Sequence, residues 1–342
     1  MTRIIESIPR VSLATLPTPL TEAFGLREAL GGSSRCPRIL LKRDDLTGLA
    51  LGGNKARKLE FLIADAKRLG ATTVVTTGAV QSNHARMTAA AARMAGLDVE
   101  LVLTTTEPSP PLQGNYLLDR LFGAKVHLIP AGPDPRFAVA PDEEERVRHV
   151  VDEMRARGER PYVIPVGGSS AVGALGYVFG TRELVEQCQS MQVAPSRLYY
   201  ASGSRGTQAG LELGWRLFSP PYQLQGIAVS GGEEEKRVRA ARVATEAAAL
   251  LGASVSIAPE ELVTRQESIG EGYGIPTPQG LEAIHLLAER DGVLLDPTYT
   301  SKAMAALIDD VRHSAIDPRE TIVFLHTGGT PALFASNLEL RT

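Results

Sequence analysis

Short apolar runs, each followed by a longer helical pattern, recur along almost the whole of this 342-residue chain. "TTVVTTGAV" (72–80) reads as a buried strand and "NHARMTAAAARMAGL" (83–97) as an Ala-rich helix. "VELVLTTT", "NYLLDRLFGA" and "KVHLIP" then repeat strand, helix and strand. Strands separated by helices cannot pair through tight turns, so the chain must cross over and lay them parallel, covered on both faces. "RLYYASGSRGTQAGLELGWRLF", "GVLLDPTYTSKAMAALIDDV" and "TIVFLHTGGTPALFA" continue the theme to the end. "PDEEERVRHVVDEMRARGERP" (141–161) is expected to be a solvated helix. The expected class is α/β: open, twisted, mostly parallel sheets flanked by helices. The length suits two lobes, a small one of residues 57–164 inserted into a large one of 1–56 and 165–342.

Composition narrows the function. A formal net charge of -3, one Trp and 5% aromatic residues leave no basic, stacking surface for nucleic acid. Cys36 and Cys188 form no ligand-spaced cluster, which fits a reducing cytoplasm. No apolar run of signal-peptide length opens the chain, and none approaches the roughly 20 residues that span a bilayer. The six histidines have no metal-ligand spacing, and "VGGSSAVG" fails the GxSxG pattern of a nucleophile elbow. The expectation is a cytoplasmic protein with no membrane, nucleic-acid or metal partner.

Several glycine-rich turns sit where a strand gives way to a helix. In "YYASGSRGTQAGLELG", Gly203, Ser204, Arg205, Gly206 and Thr207 can form an anion cradle or simply a capped turn. In "TTGAVQSNHARMTAA", Ser82 or Asn83 can cap the helix. With Gln81 they would also suit a carboxylate, and His84 reads as an exposed first-turn residue. "LGGNKARKLEFLIADAKRLG" (51–70) is unusual because its helix opens with Lys55, Arg57 and Lys58. A helix start carries partial positive charge and disfavours cations. Lys55 is therefore either a surface lysine or an amine held ready for Schiff-base chemistry.

Taken together, "LPTPL", "LKRDDLTGLALGGNKARKLEFL", "GAVQSNHARMTAA", "VGGSSAVGALGY", "ASGSRGTQAGL", "GEGYGIPTPQGLEAI", "LLDPTYTSKAMAAL" and "FLHTGGTPALFA" resemble the D-cysteine desulfhydrase and 1-aminocyclopropane-1-carboxylate (ACC) deaminase family. The resemblance implies a two-domain pyridoxal 5'-phosphate (PLP) enzyme of fold type II, tryptophan synthase β-like. It implies that Lys55 carries the cofactor and that Lys58 and the loop of Gly203, Ser204, Arg205, Gly206 and Thr207 hold its phosphate. Asn83 would meet the ring's phenolic oxygen, and Thr300 its pyridine nitrogen. Ser82, with Gln81, Asn83 and His84 around it, would receive the substrate. Tyr273 and Tyr299 would line the site and relay protons. The resemblance gives Arg57 no role, and it is expected to face solvent.

Within the family, Thr300 stands where ACC deaminases carry glutamate. A neutral hydroxyl cannot hold the ring nitrogen protonated as a carboxylate would, which suits loss of a β leaving group. The expected activity is α,β-elimination on a small β-substituted amino acid, D-cysteine giving pyruvate, hydrogen sulfide and ammonia. L-Cysteate sulfo-lyase, ACC deaminase and a non-catalytic PLP-binding protein are the alternatives. Arg205 departs from the small residue expected in the cup. It can contact the phosphate, point outward, or attract a second substrate anion. A homodimer is implied.

Overall fold

The computed structural model describes residues 8–136, 140 and 142–336. The chain runs through β1 (Leu20–Glu22), α1 (Phe24–Ala29), β2 (Arg38–Arg43), α2 (Lys55–Arg68), β3 (Thr73–Ala79), α3 (Asn83–Met94) and β4 (Asp98–Thr105). It continues with α4 (Gly114–Leu121), β5 (Lys125–Pro130), α5 (Glu143–Ala156), β6 (Pro161–Ile164), α6 (Ala171–Ser190) and β7 (Arg197–Ser202). Then come α7 (Gly206–Phe218), β8 (Gln223–Ala228), α8 (Glu233–Leu250), β9 (Thr264–Arg265), α9 (Pro278–Asp291), α10 (Thr300–Arg312) and β10 (Thr321–His326).

Two sheets result: a six-stranded one ordered β1-β2-β10-β7-β8-β9, and a four-stranded one ordered β5-β4-β3-β6. Only the β1–β2 pair is antiparallel among the described strands. The strands between neighbours read as near-continuous apolar runs because both their faces are covered. In β10, Val323 lies opposite Leu40 of β2 and Leu198 of β7, and all three are buried. Leu26, Ile284, Leu287 and Met304, from α1, α9 and α10, pack on one face of this sheet, and Tyr177 and Leu211, from α6 and α7, on the other. The four-stranded sheet lies within residues 73–164, with α2 and α3 on one face and α5 on the other.

The strand expected over 72–80 is β3 and the helix over 83–97 is α3, each trimmed at its ends. The charged run over 141–161 contains α5, with Pro141 outside the described residues. That helix is not simply solvated: Val150, Val151 and Met154 pack under β3 and β4. Its Glu143 is buried, which pushes the carboxyl up to about 7. No helix among the described residues is long and apolar enough to cross a membrane.

Two glycines let helices approach closely beside the site. A Cβ on Gly176 of α6 would come within 2.5 Å of the Arg57 carbonyl oxygen of α2. One on Gly210 of α7 would come within 2.3 Å of the Ala174 oxygen of α6. With hydrogen there instead, α2, α6 and α7 pack nearly backbone to backbone, bringing the starts of α2 and α7 together.

Candidate active site

Parallel strands end at the same side, and ligands gather where those carboxyl ends open. Here the ends of both sheets face one cavity of roughly 900 Å³, counting its open mouth. β3 contributes Gly78 and Ala79, the turn into α3 Ser82 and Asn83, and the turn after β6 Val166 and Gly167. Residues 201–205 follow from β7, Ser230 from β8, and Thr327 with Gly328 from β10.

Lys55 is the first residue of α2 and lies on this wall. Its Nζ donates to Asn54 Oδ1 at 3.0 Å. Asn54 Nδ2 in turn donates to Thr207 Oγ1 at 3.1 Å, tying the lysine to the start of α7. Burial brings the Lys55 ammonium down to about 8; Asp296 opposes the shift and Arg86 adds to it. Lys58, one turn on, is 1% exposed, and its Nζ donates to the Gly167 carbonyl at 3.1 Å. Burial, with Lys55 nearby, drives its pKa well below the usual lysine range.

Arg57 does not face solvent. It is 2% exposed, and its guanidinium forks onto Asp44 through two bonds of 2.8 Å. It also meets Glu183 at 2.8 and 3.0 Å. Carboxylates far away in sequence supply the counter-charge that the helix start lacks.

The turn after β7 forms the cradle. A Cβ on Gly206 would sit 2.7 Å from Ser169 Oγ and 3.0 Å from Lys58 Nζ, so only glycine leaves that space open. The free N–H groups at the start of α7 face the same region as the Lys58 ammonium, which has no carboxylate partner among the described residues. Buried cations without an anion, around a space kept clear by glycine, fit a phosphate. Arg205 takes a left-handed backbone (φ 69°) and lines the cavity, with its guanidinium engaged by neighbouring side chains. It ion-pairs with Glu233 and donates to Gln208 Oε1 at 2.8 Å. Its side chain is therefore unavailable to a phosphate or to a substrate anion.

On the opposite wall Ser82 caps α3, accepting from the Ala85 N–H at 3.2 Å, and still faces the cavity. Asn83 Oδ1 accepts from Asn115 Nδ2 at 3.0 Å, which leaves the Asn83 amide nitrogen free to donate. Gln81 turns away: its amide nitrogen donates to the Gln113 carbonyl at 3.1 Å and its oxygen accepts from the Asn115 N–H at 2.9 Å. His84 is buried rather than exposed, and its Nε2 shares a 2.9 Å bond with Thr76 Oγ1. Burial, then Lys55 and Lys58, hold its pKa well below the ordinary histidine value.

Tyr273 and Tyr299 bring their hydroxyls together in a hydrogen bond, with the rings edge to face at 5.9 Å between centroids. Burial raises both phenol pKa values. Thr300 is outside the set of residues that line the cavity. Its hydroxyl donates to Asp296 Oδ1 at 2.7 Å and accepts from the Asp296 N–H at 2.7 Å. Thr327, from the "HTGG" turn after β10, supplies a hydroxyl to the wall instead. Sequence reasoning missed Asn54, Asn115, Thr327, Lys236 and Arg239. The strand-end turn "HTGG" was a usable signal for Thr327, but nothing in a charged helix marks Lys236 or Arg239.

A buried lysine beside a cationic, glycine-lined anion cradle at the strand ends is the site of an enzyme that carries a phosphorylated cofactor on that lysine. The chain belongs to the pyridoxal-phosphate dependent enzyme family, whose model matches residues 11–328. It is 43% identical over 335 residues to a D-cysteine desulfhydrase of Salmonella typhi, covering 97% of each chain. The same identity and coverage hold for a D-cysteine desulfhydrase of Salmonella choleraesuis. Among solved structures, an ACC deaminase homologue superposes with a TM-score of 0.86 at 37% identity, covering 97% of this chain and 95% of its own. A T.th. threonine deaminase shares the fold at a TM-score of 0.66 and 21% identity, covering 100% of this chain and 99% of its own.

Proposed function

We propose that this chain is a PLP-dependent lyase converting D-cysteine to pyruvate, hydrogen sulfide and ammonia. The observation that carries this reading is the cavity wall itself: it presents an amine lowered to about 8, and no Asp or Glu lines it among the described residues. A wall with hydroxyls and no carboxylate suits departure of a β-thiol better than opening of a cyclopropane ring, which has no leaving group to take up electrons. High similarity to D-cysteine desulfhydrases supports the same choice. The sulfonate-directed alternative named Arg205, which is paired with Glu233; that leaves Lys236 and Arg239, Lys55 apart, as the cavity's cations in no salt bridge among the described residues.

Lys55 would hold the cofactor, while Lys58 and the backbone of 203–207 would hold its phosphate. When bound, the cofactor withdraws electrons from the carbon that carries the substrate amine. The Lys55 amine, when free, would take the proton from the substrate Cα as a general base. Asn83, its amide nitrogen free, would donate to the ring's phenolic oxygen. Ser82 and Asn83 receive the substrate carboxylate, helped by the free N–H groups at the start of α3. Tyr299 and Tyr273 pass a proton toward the departing sulfur through their shared hydrogen bond. Thr327 would offer the cofactor ring a polar neighbour, and Thr300 fixes Asp296. Gln81 holds the turn at 113–115 and does not touch substrate.

Residues 57–164 make the small lobe and 1–56 with 165–342 the large one, in keeping with the two sheets. Cys36 and Cys188 are free and buried, in keeping with a reducing cytoplasm. Two copies associate through the apolar side chains Leu112, Leu117 and Leu121, exposed on and before α4.

A panel of D-cysteine, L-cysteate, L-cysteine, β-chloro-D-alanine and ACC, read by 2-oxo acid formation, tests the assignment. D-Cysteine is expected to be turned over fastest, and Lys55→Ala to abolish both turnover and the cofactor's absorbance band. Turnover of ACC with none of the β-substituted substrates would overturn it.

A further inference from the structure

Four basic side chains surround the phosphate cradle, and the reading above uses only Lys58. Arg205 is taken up by Glu233. Lys236 and Arg239 of α8 also line the cavity, beside Ser204 and Thr207. We propose that Lys236 and Arg239 form a second cationic wall of the phosphate cup, so that α8 holds the cofactor's phosphate together with α2 and α7. This rests on the cavity being a PLP site.

The placement begins with Arg205. Its pairing with Glu233, the first residue of α8, docks that helix start against the cup. Thr264 Oγ1 donates to the same carboxylate at 2.8 Å, and the Gln266 amide also donates to it, fixing it from the β9 side. Lys236 and Arg239 follow Glu233 at steps of three, so the three side chains share one face of α8.

Neither cation has found an anion. Lys236 Nζ donates to Ser230 Oγ at 2.7 Å and to the Gly231 carbonyl. Arg239 Nη2 reaches the Ser204 carbonyl at 3.4 Å, and its buried Nε has no partner. Among the described residues no salt bridge involves either side chain, although elsewhere Arg205, Arg57 and Lys42 all pair with carboxylates. Burial lowers Lys236 to about 8, Arg205 and Arg239 push the same way, and Glu233 and Glu235 oppose the shift without pairing with it. Two like charges facing one cavity with no carboxylate in contact are costly. A phosphate dianion at the adjacent cup removes that cost. The arrangement also accounts for an arginine in a glycine-rich turn: Arg205 acts as a positioning residue, through Glu233, for the cations of α8.

The test compares PLP with pyridoxal, which has the same reactive carbonyl and no phosphate. Wild-type protein, Lys236→Gln, Arg239→Gln and the double variant are stripped of cofactor. Each is titrated with both compounds, and binding is read from the absorbance band on Lys55. Each single variant is expected to bind PLP about tenfold more weakly, and the double variant more weakly still, while pyridoxal binding stays as in wild type. Unchanged pyridoxal binding also shows that the variants are folded. The proposal is overturned if the variants keep the wild-type ratio of PLP to pyridoxal affinity. A raised KM for L-cysteate with that ratio unchanged would assign the cations to substrate. Wild-type protein that binds neither compound would instead overturn the reading of the site.

Discussion

Burial of Lys55 sets the pH at which its amine can react. The amine attacks a carbonyl only when unprotonated, and here it is half unprotonated at about 8 rather than near the ordinary lysine value. Cofactor loading onto stripped protein should therefore accelerate about tenfold per pH unit below 8 and level off above it. A loading rate still climbing past pH 10 would mean that the amine behaves as an exposed lysine. Lys55 was legible in the sequence because three cations at a helix start demand an explanation. Arg57 and Arg205 were not, because their partners Asp44, Glu183 and Glu233 are brought to them only by folding. His84 was misread for a related reason. A first-turn histidine is ordinarily solvated, but the arrival of β6 and the loop after it covers this one, and the Ile164 carbonyl accepts from the same Thr76 hydroxyl.

The helix that carries Lys55 is held by a buried charge network and by close backbone packing, and each can be tested separately. Arg57→Met would leave Asp44 and Glu183 without their main counter-charge, at a cost of about 3–5 kcal/mol, seen as an earlier urea midpoint. A midpoint equal to wild type would mean that the network adds nothing to stability. Gly176→Ala would force a Cβ to within 2.5 Å of the Arg57 carbonyl oxygen and 2.7 Å of the Lys58 nitrogen, so α2 and α6 must part. The expected loss is about 1–3 kcal/mol together with weaker PLP retention, because Lys58 moves with its helix. Strand and helix identities were legible along the chain, since parallel strands covered on both faces must be apolar throughout. The close approach of α2, α6 and α7 was not. A glycine in a helical pattern marks a possible contact without naming the surface it meets.

At the level of the assembled chain, the proposed dimer should appear as a single species of twice the monomer mass in light scattering. Leu121→Glu should shift it toward monomer, because a charge would then enter the apolar contact. A wild-type monomer would remove that part of the proposal. The sequence made the parallel α/β class plain, but not the pairing of β2 with β10, which joins opposite ends of the chain. Nor did it reveal that both sheets end at one cavity. That shared opening divides the work between two supports. The six-stranded sheet contributes the turns at 203–207 and Ser230, the side proposed to hold the cofactor's phosphate. The four-stranded sheet contributes Ser82 and Asn83, the side proposed to receive the substrate's carboxylate. On that reading cofactor and substrate are gripped from separate supports, so the spacing between the two sheets sets how they meet.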